Sequence, residues 1–193
     1  MQAVVKMMGA AVVTLGLAGP ALAHTGVGAV HGFEAGILHP LFGLDHVLAM
    51  VAVGLWAGLV GGRARFAYPL AFVAMMVVAG LWGMSGAALP GVEIGIAVSV
   101  VVLGLAIALN LTPPLAAGTA ACAIFAIFHG HAHGAELPAG ASGLGYALGF
   151  VLATAALHGL GLGLAGVLAA RAPLLARIAG GGLALAGVAI LAG

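Results

Sequence analysis

Histidine and acidic side chains gather in two short stretches, HPLFGLDH at residues 39–46 and FHGHAHGAE at residues 128–136. The groups able to bind a metal ion in these stretches are His39, Asp45, His46, His129, His131, His133 and Glu136. Imidazole and carboxylate suit borderline divalent ions such as Ni²⁺, Co²⁺ and Zn²⁺, and their chemistry alone does not choose among the three. The one cysteine, Cys122, excludes a multi-cysteine zinc or iron–sulfur site.

The composition excludes an ordinary soluble domain. Hydrophobic residues make up 64% of the 193 residues and charged residues 5%, with a mean hydropathy of +1.31. Soluble domains are about 25% charged. The sequence therefore predicts an all-α, polytopic membrane helix bundle with the lipid bilayer as its main partner. Five basic residues are too few for a phosphate-binding face, which excludes nucleic acid.

The beginning of the chain is typical of a secretory signal peptide. Lys6 precedes the short apolar run GAAVVTLGLAG, and the triplet at residues 21–23 is an A-x-A cleavage site. We therefore predict a cleaved signal peptide at residues 1–23 and a single six-helix transmembrane domain at residues 24–193. The predicted spans are residues 36–60, 68–88, 92–110, 115–133, 143–168 and 177–192.

The arginines predict the orientation. Arg63 and Arg65 lie between the first two predicted spans, and Arg171 and Arg177 lie around the break between the last two. If the mature N-terminus is exported, both breaks face the cytoplasm, in agreement with the positive-inside rule. The expected location is therefore the bacterial inner membrane, with the mature N-terminus in the periplasm.

Helical spacing predicts which of the clustered groups share a face. His39 and His46 are seven residues apart, which places them on nearly the same face of the first helix. His129, His133 and Glu136 form one stripe if the fourth helix continues that far. A charge facing lipid costs at least about 2.5 kcal/mol at the bilayer centre, so both stripes should face the bundle interior.

Other polar residues are further candidates. Glu93 is predicted to bind the metal ion as well, because it is the remaining acid at a span boundary and opens the third helix on the outer side. The weaker metal-ligand candidates are His24, His31, Glu34, His131 and His158. His158, near the middle of the fifth helix, is equally well explained as a hydrogen-bond donor between helices. Gly130 and Gly134 are expected to loosen the fourth helix near its end.

The two motifs resemble those of the HupE/UreJ family of bacterial nickel permeases. The similarity rests on HPLFGLDHVLAMVAVGLWA and on FHGHAHGAE, both complete and in the right order. It implies delivery of nickel, or of cobalt in some members, with an indirect link to the maturation of hydrogenase or urease. The functional residues that it implies are His39, Asp45, His46, His129, His133 and Glu136. His131 occupies a position that the family varies more freely.

We therefore expect a permease that moves nickel, with cobalt as the alternative, from the periplasm to the cytoplasm. The ion is cargo, so no cofactor and no enzyme activity are expected, and no P-loop for ATP hydrolysis is present. One alternative is an intramembrane zinc-dependent hydrolase with a zinc-bound water as nucleophile. Such an enzyme could recruit Ser85, Ser99 and Ser142 as helpers. Another is a metal sensor or assembly partner that only binds the ion. Whether the chain acts alone or as a homo-oligomer stays open.

Overall fold

The computed structural model describes residues 32–193, and every regular element within them is an α-helix. The helices are α1 (Gly32–Phe42), α2 (Leu44–Val60), α3 (Ala64–Met84), α4 (Val92–Ala108), α5 (Leu115–Ala135), α6 (Gly143–Arg171) and α7 (Pro173–Ala192). The predicted all-α class is confirmed for this part of the chain. The predicted signal peptide at residues 1–23, as well as His24 and His31, lies outside the described residues.

Several helices are long and apolar enough to cross a membrane. Four of them, α3, α5, α6 and α7, meet this condition singly, and α1 and α2 add a fifth span if the bent pair counts as one. The apolar helix α4 has 17 residues, at the lower end of the length that a span requires. The helices overlap the six predicted segments, and their length and apolar composition are typical of a multi-pass membrane protein.

The predicted first span is not one continuous helix. Gly43 has extended backbone angles between α1 and α2, and the two helix axes differ by 83°. Pro40 lacks a backbone N–H donor, and glycine is a poor helix former, so this stretch favours a break. A β-carbon at Gly43 would lie 2.9 Å from Nδ1 of His46. The shared face predicted for His39 and His46 was therefore wrong, because the two residues belong to different helices.

The helices pack mainly in pairs, α3 with α5, α4 with α7, and both α1 and α2 with α6. In the first pair, Gly130 lies against the backbone of Met76, and Gly134 lies against that of Gly80. A β-carbon at either glycine of α5 would overlap a carbonyl oxygen of α3. The prediction that these glycines loosen the helix was wrong, since α5 stays helical to Ala135 and they allow close packing instead.

The helices α2 and α6 run parallel to each other. The Thr154 hydroxyl contacts the sulfur of Met50, and four residues further along each helix His158 lies against Gly54. Since α2 and α6 are parallel, their first residues lie at the same end of the bundle. The end of α5 also lies there, so this end of the bundle, the histidine end, collects the metal-binding candidates.

Candidate metal site

Two segments far apart in the sequence meet at the histidine end. The ring of His133, in the last turn of α5, lies 4.8 Å from the ring of His39 and 4.2 Å from the ring of His46, measured between centroids. The ring of His129, one turn earlier on α5, lies 4.9 Å from that of His46. We call His39, His46, His129, His133 and Glu136 the histidine cluster. The break at Gly43 allows α1 and α2 each to contribute an imidazole to it.

The outer part of the cluster is open to the surroundings. Nε2 of His39 lies 2.8 Å from Oε2 of Glu136, and the two side chains are 25% and 45% exposed. Three residues here each have one possible ligand atom, and these atoms lie within 4.8 Å of one another: His39, His133 and Glu136. A metal ion could therefore bind here and remain accessible. Glu136 follows the last residue of α5, so the predicted stripe continues one residue beyond the helix.

Asp45 orients the imidazole of His46. Its Oδ1 accepts hydrogen bonds from Nδ1 of His46 at 2.7 Å and from the backbone N–H of His46 at 2.8 Å. Because Nδ1 carries the hydrogen, Nε2 of His46 keeps a lone pair, and this atom is buried without a hydrogen-bond partner. Carboxylates commonly fix metal-binding histidines in this way. The geometry gives Asp45 an orienting role in addition to the predicted role of ligand.

Ser99 of α4 performs the corresponding task for His129. The Ser99 hydroxyl donates to the carbonyl of Ile96 at 2.6 Å, so its oxygen is left to accept from Nε2 of His129 at 2.9 Å. The hydrogen on Nε2 leaves a lone pair on Nδ1, which is buried and has no hydrogen-bond partner. Two separate sets of hydrogen bonds thus orient His46 and His129, and each leaves one ring nitrogen with a free lone pair that could bind a metal ion.

His133 lies between these two prepared ligands and the open rim. Both of its ring nitrogens are buried without a hydrogen-bond partner, and its ring packs 3.9 Å from that of Phe150 on α6. An unpaired buried polar group costs about 1–3 kcal/mol, and folded proteins pair nearly all such groups. The cluster collects several of them in one place. A cation bound beside these rings would supply the missing partner.

The structure does not bring every predicted residue into the cluster. Glu93 and Glu34 are exposed in the first turns of α4 and α1. His131 points away from the cluster, because its Nε2 donates to the carbonyl of Ala87 at 2.7 Å beside Trp82. His158 lies deeper, against Phe72. The structure thus places these four candidate residues outside the histidine cluster.

Two residues at the histidine end were not predicted as part of the metal site. Ser99 is the one hydroxyl in α4, and this was the available signal. Tyr146, near the start of α6, has its ring 5.9 Å from that of His39 and a buried hydroxyl without a hydrogen-bond partner. Neither the type nor the spacing of these two residues connects them with histidines on other helices.

Replacing Ser99 by alanine is expected to weaken metal binding about tenfold or more, the usual effect of losing a residue that orients a ligand. Ser99→Thr keeps the hydroxyl and should restore most of the affinity. Titration of the purified variants with Co²⁺, followed by its visible absorption, measures the affinity and reports the ligand geometry. Equal affinity and an identical spectrum in Ser99→Ala would contradict the orienting role.

Comparison with known proteins identifies the family of the chain. The sequence matches the model of the family described as HupE / UreJ protein over residues 10–190. It is 48% identical over 179 residues to Protein HupE of Rhizobium leguminosarum bv. viciae, which covers 92% of this chain and 94% of that protein. No solved structure matches the chain. Because the family match extends over nearly all of the sequence, the chain belongs to the HupE/UreJ family.

Proposed function

We propose that this protein is a permease that moves Ni²⁺, with Co²⁺ as the alternative cargo, from the periplasm to the cytoplasm. The observation that carries the proposal is the convergence of unpartnered imidazole nitrogens of α2 and α5 behind an open rim of His39 and Glu136. Membership of the HupE/UreJ family supports the same function. An indirect link to hydrogenase or urease maturation follows from the nickel cargo.

The proposed topology orients the cluster toward the periplasm. We propose that residues 1–23 are a cleaved signal and that residues 24–193 cross the inner membrane six times. In this topology α1 and α2 form one bent span and α4 a short one. Arg63 follows α2 and Arg171 ends α6, so both lie at the opposite end from the cluster. The positive-inside rule assigns the arginine end to the cytoplasm.

The proposed mechanism begins with capture at the rim. Glu136 and His39 attract the hydrated ion, with the exposed carboxylates of Glu34 and Glu93 adding negative charge on the same side. His133, His46 and His129 then replace part of the water shell, while Asp45 and Ser99 keep two of the rings oriented. Transport requires binding that is weak enough for release, which favours a few neutral imidazoles over a closed cage.

The hydrolase alternative is less well supported by the side chains. Ser85 donates to the carbonyl of Trp82, and Ser99 donates to the carbonyl of Ile96. Ser142 accepts from the backbone N–H of Gly145 at the start of α6. The serines considered as helpers of a hydrolase thus have structural hydrogen bonds. A hydrolase would also purify with stoichiometric zinc, whereas a permease should hold little metal after purification.

Radiotracer uptake in cells that lack other nickel importers tests the proposal. Expression of this chain is expected to raise ⁶³Ni²⁺ accumulation and to restore growth that depends on a nickel enzyme at limiting nickel. Excess Co²⁺ or Zn²⁺ added as competitor identifies the preferred ion. Unchanged accumulation, with the protein present in the membrane at normal levels, would contradict the permease function and leave the binding-only alternative.

A further inference from the structure

A histidine that the cluster does not use lies deeper in the bundle. His158 of α6 is 2% exposed, and both of its ring nitrogens are buried without a hydrogen-bond partner. The centroid of the Phe72 ring lies 5.5 Å from that of His129 and 5.3 Å from that of His158. The side chain of Phe72 therefore lies between the histidine cluster and His158. Two unpaired nitrogens in an apolar interior require an explanation.

Two methionine sulfurs lie beside Thr154, which is one helical turn before His158 on α6. The hydroxyl of Thr154 is 3.4 Å from Sδ of Met50 on α2 and 3.7 Å from Sδ of Met76 on α3, and all three side chains are buried. The hydroxyl has a single hydrogen, so sulfur lone pairs remain available. Thr154 and His158 are four residues apart on one face of α6, and Gly54 packs against His158 one turn beyond Met50.

We propose that His158, Met50 and Met76 form an inner binding station for the metal ion in transit, inward of the histidine cluster. This inference rests on the proposed permease function. All three ligands are neutral, whereas the cluster has the Glu136 carboxylate as a ligand and the Asp45 carboxylate beside it. A dication is therefore held less tightly at the inner station, which favours movement onward to the cytoplasm. Imidazole and thioether together suit an ion of borderline softness.

The test uses the purified full chain, saturated with Ni²⁺ in lipid nanodiscs, and X-ray absorption at the nickel edge. The wild type is expected to bind two ions, one with nitrogen and oxygen neighbours and one with sulfur neighbours. Met50→Leu combined with Met76→Leu conserves volume and should remove the sulfur signal. The matched control is Met75→Leu, adjacent on α3 and without a bond to Thr154, which should keep it. Absence of sulfur neighbours in the saturated wild type would overturn the inner station.

A second variant separates this proposal from the permease function. His158→Leu should bind one ion instead of two and should lower the maximal rate of Ni²⁺ uptake several-fold. The Ni²⁺ concentration that gives half-maximal uptake should stay unchanged in this variant, because the ion is captured at the histidine cluster. Two bound ions and wild-type uptake in His158→Leu would refute the inner station alone. Absence of uptake by the wild-type protein would instead refute the permease function.

Discussion

Nickel uptake is expected to fall below about a tenth of the wild-type rate in His46→Ala, with a normal amount of protein in the membrane. His46 lies between two other imidazoles, with its ring 4.2 Å from that of His133 and 4.9 Å from that of His129. Replacing His46 by alanine removes the lone pair of its Nε2 atom. It also leaves no imidazole between His133 and His129. Loss of an orienting residue costs 10–100-fold in affinity, and loss of a ligand should cost at least as much.

The matched control for this variant is His131→Gln. His131 is a histidine of the same motif, but its Nε2 bonds to the carbonyl of Ala87 instead of facing the cluster. A glutamine amide can donate to the same carbonyl, so uptake should remain near the wild-type rate. Initial rates of ⁶³Ni²⁺ uptake, normalised to membrane protein by immunoblot, provide the comparison. Wild-type uptake in His46→Ala would remove His46 from the transport path.

The Gly134→Ala variant is expected to lose about 1–3 kcal/mol of stability, the usual cost of inserting a methyl group into a packed interior. The new β-carbon would overlap the carbonyl of Gly80, which belongs to the backbone of α3 and cannot rotate away. The helices α3 and α5 would have to separate. Thermal unfolding of the purified protein in one detergent should show a lower midpoint than the wild type.

Gly159→Ala on α6 is the control for this change. A β-carbon at Gly159 would meet nothing within 4 Å, and alanine is the better helix former. Its unfolding midpoint should equal or exceed that of the wild type. If both variants unfold at the wild-type temperature, the close contact between α3 and α5 is absent in solution.

The helical class was predictable because apolar runs of membrane length are visible in the sequence without any tertiary information. The break at Gly43 was not predictable from hydropathy, since the residues on both sides are apolar and the total length suits one span. Pro40 and Gly43 provided the local signal, but each also occurs within continuous membrane helices. In the folded protein the two helices, whose axes differ by 83°, both pack along α6.

The residues of the histidine cluster stand out in the sequence because imidazole and carboxylate groups are rare in an apolar chain. The arrangement of these residues could not be predicted. The prediction correctly joined the stretch at 39–46 with the stretch at 128–136, but it gave the wrong reason for His39 and His46. It could not identify Ser99, because the hydrogen bond to His129 joins two helices and depends on their packing.

The residues of the histidine cluster come from segments of the chain that are synthesised at different times. His39 and Glu136 are 97 residues apart, so α1 and α2 leave the ribosome well before α5 has been synthesised. A partly inserted chain therefore has only half of the cluster. If the protein is the permease proposed above, a truncated translation product that lacks α5 would not have the complete cluster through which divalent ions would pass.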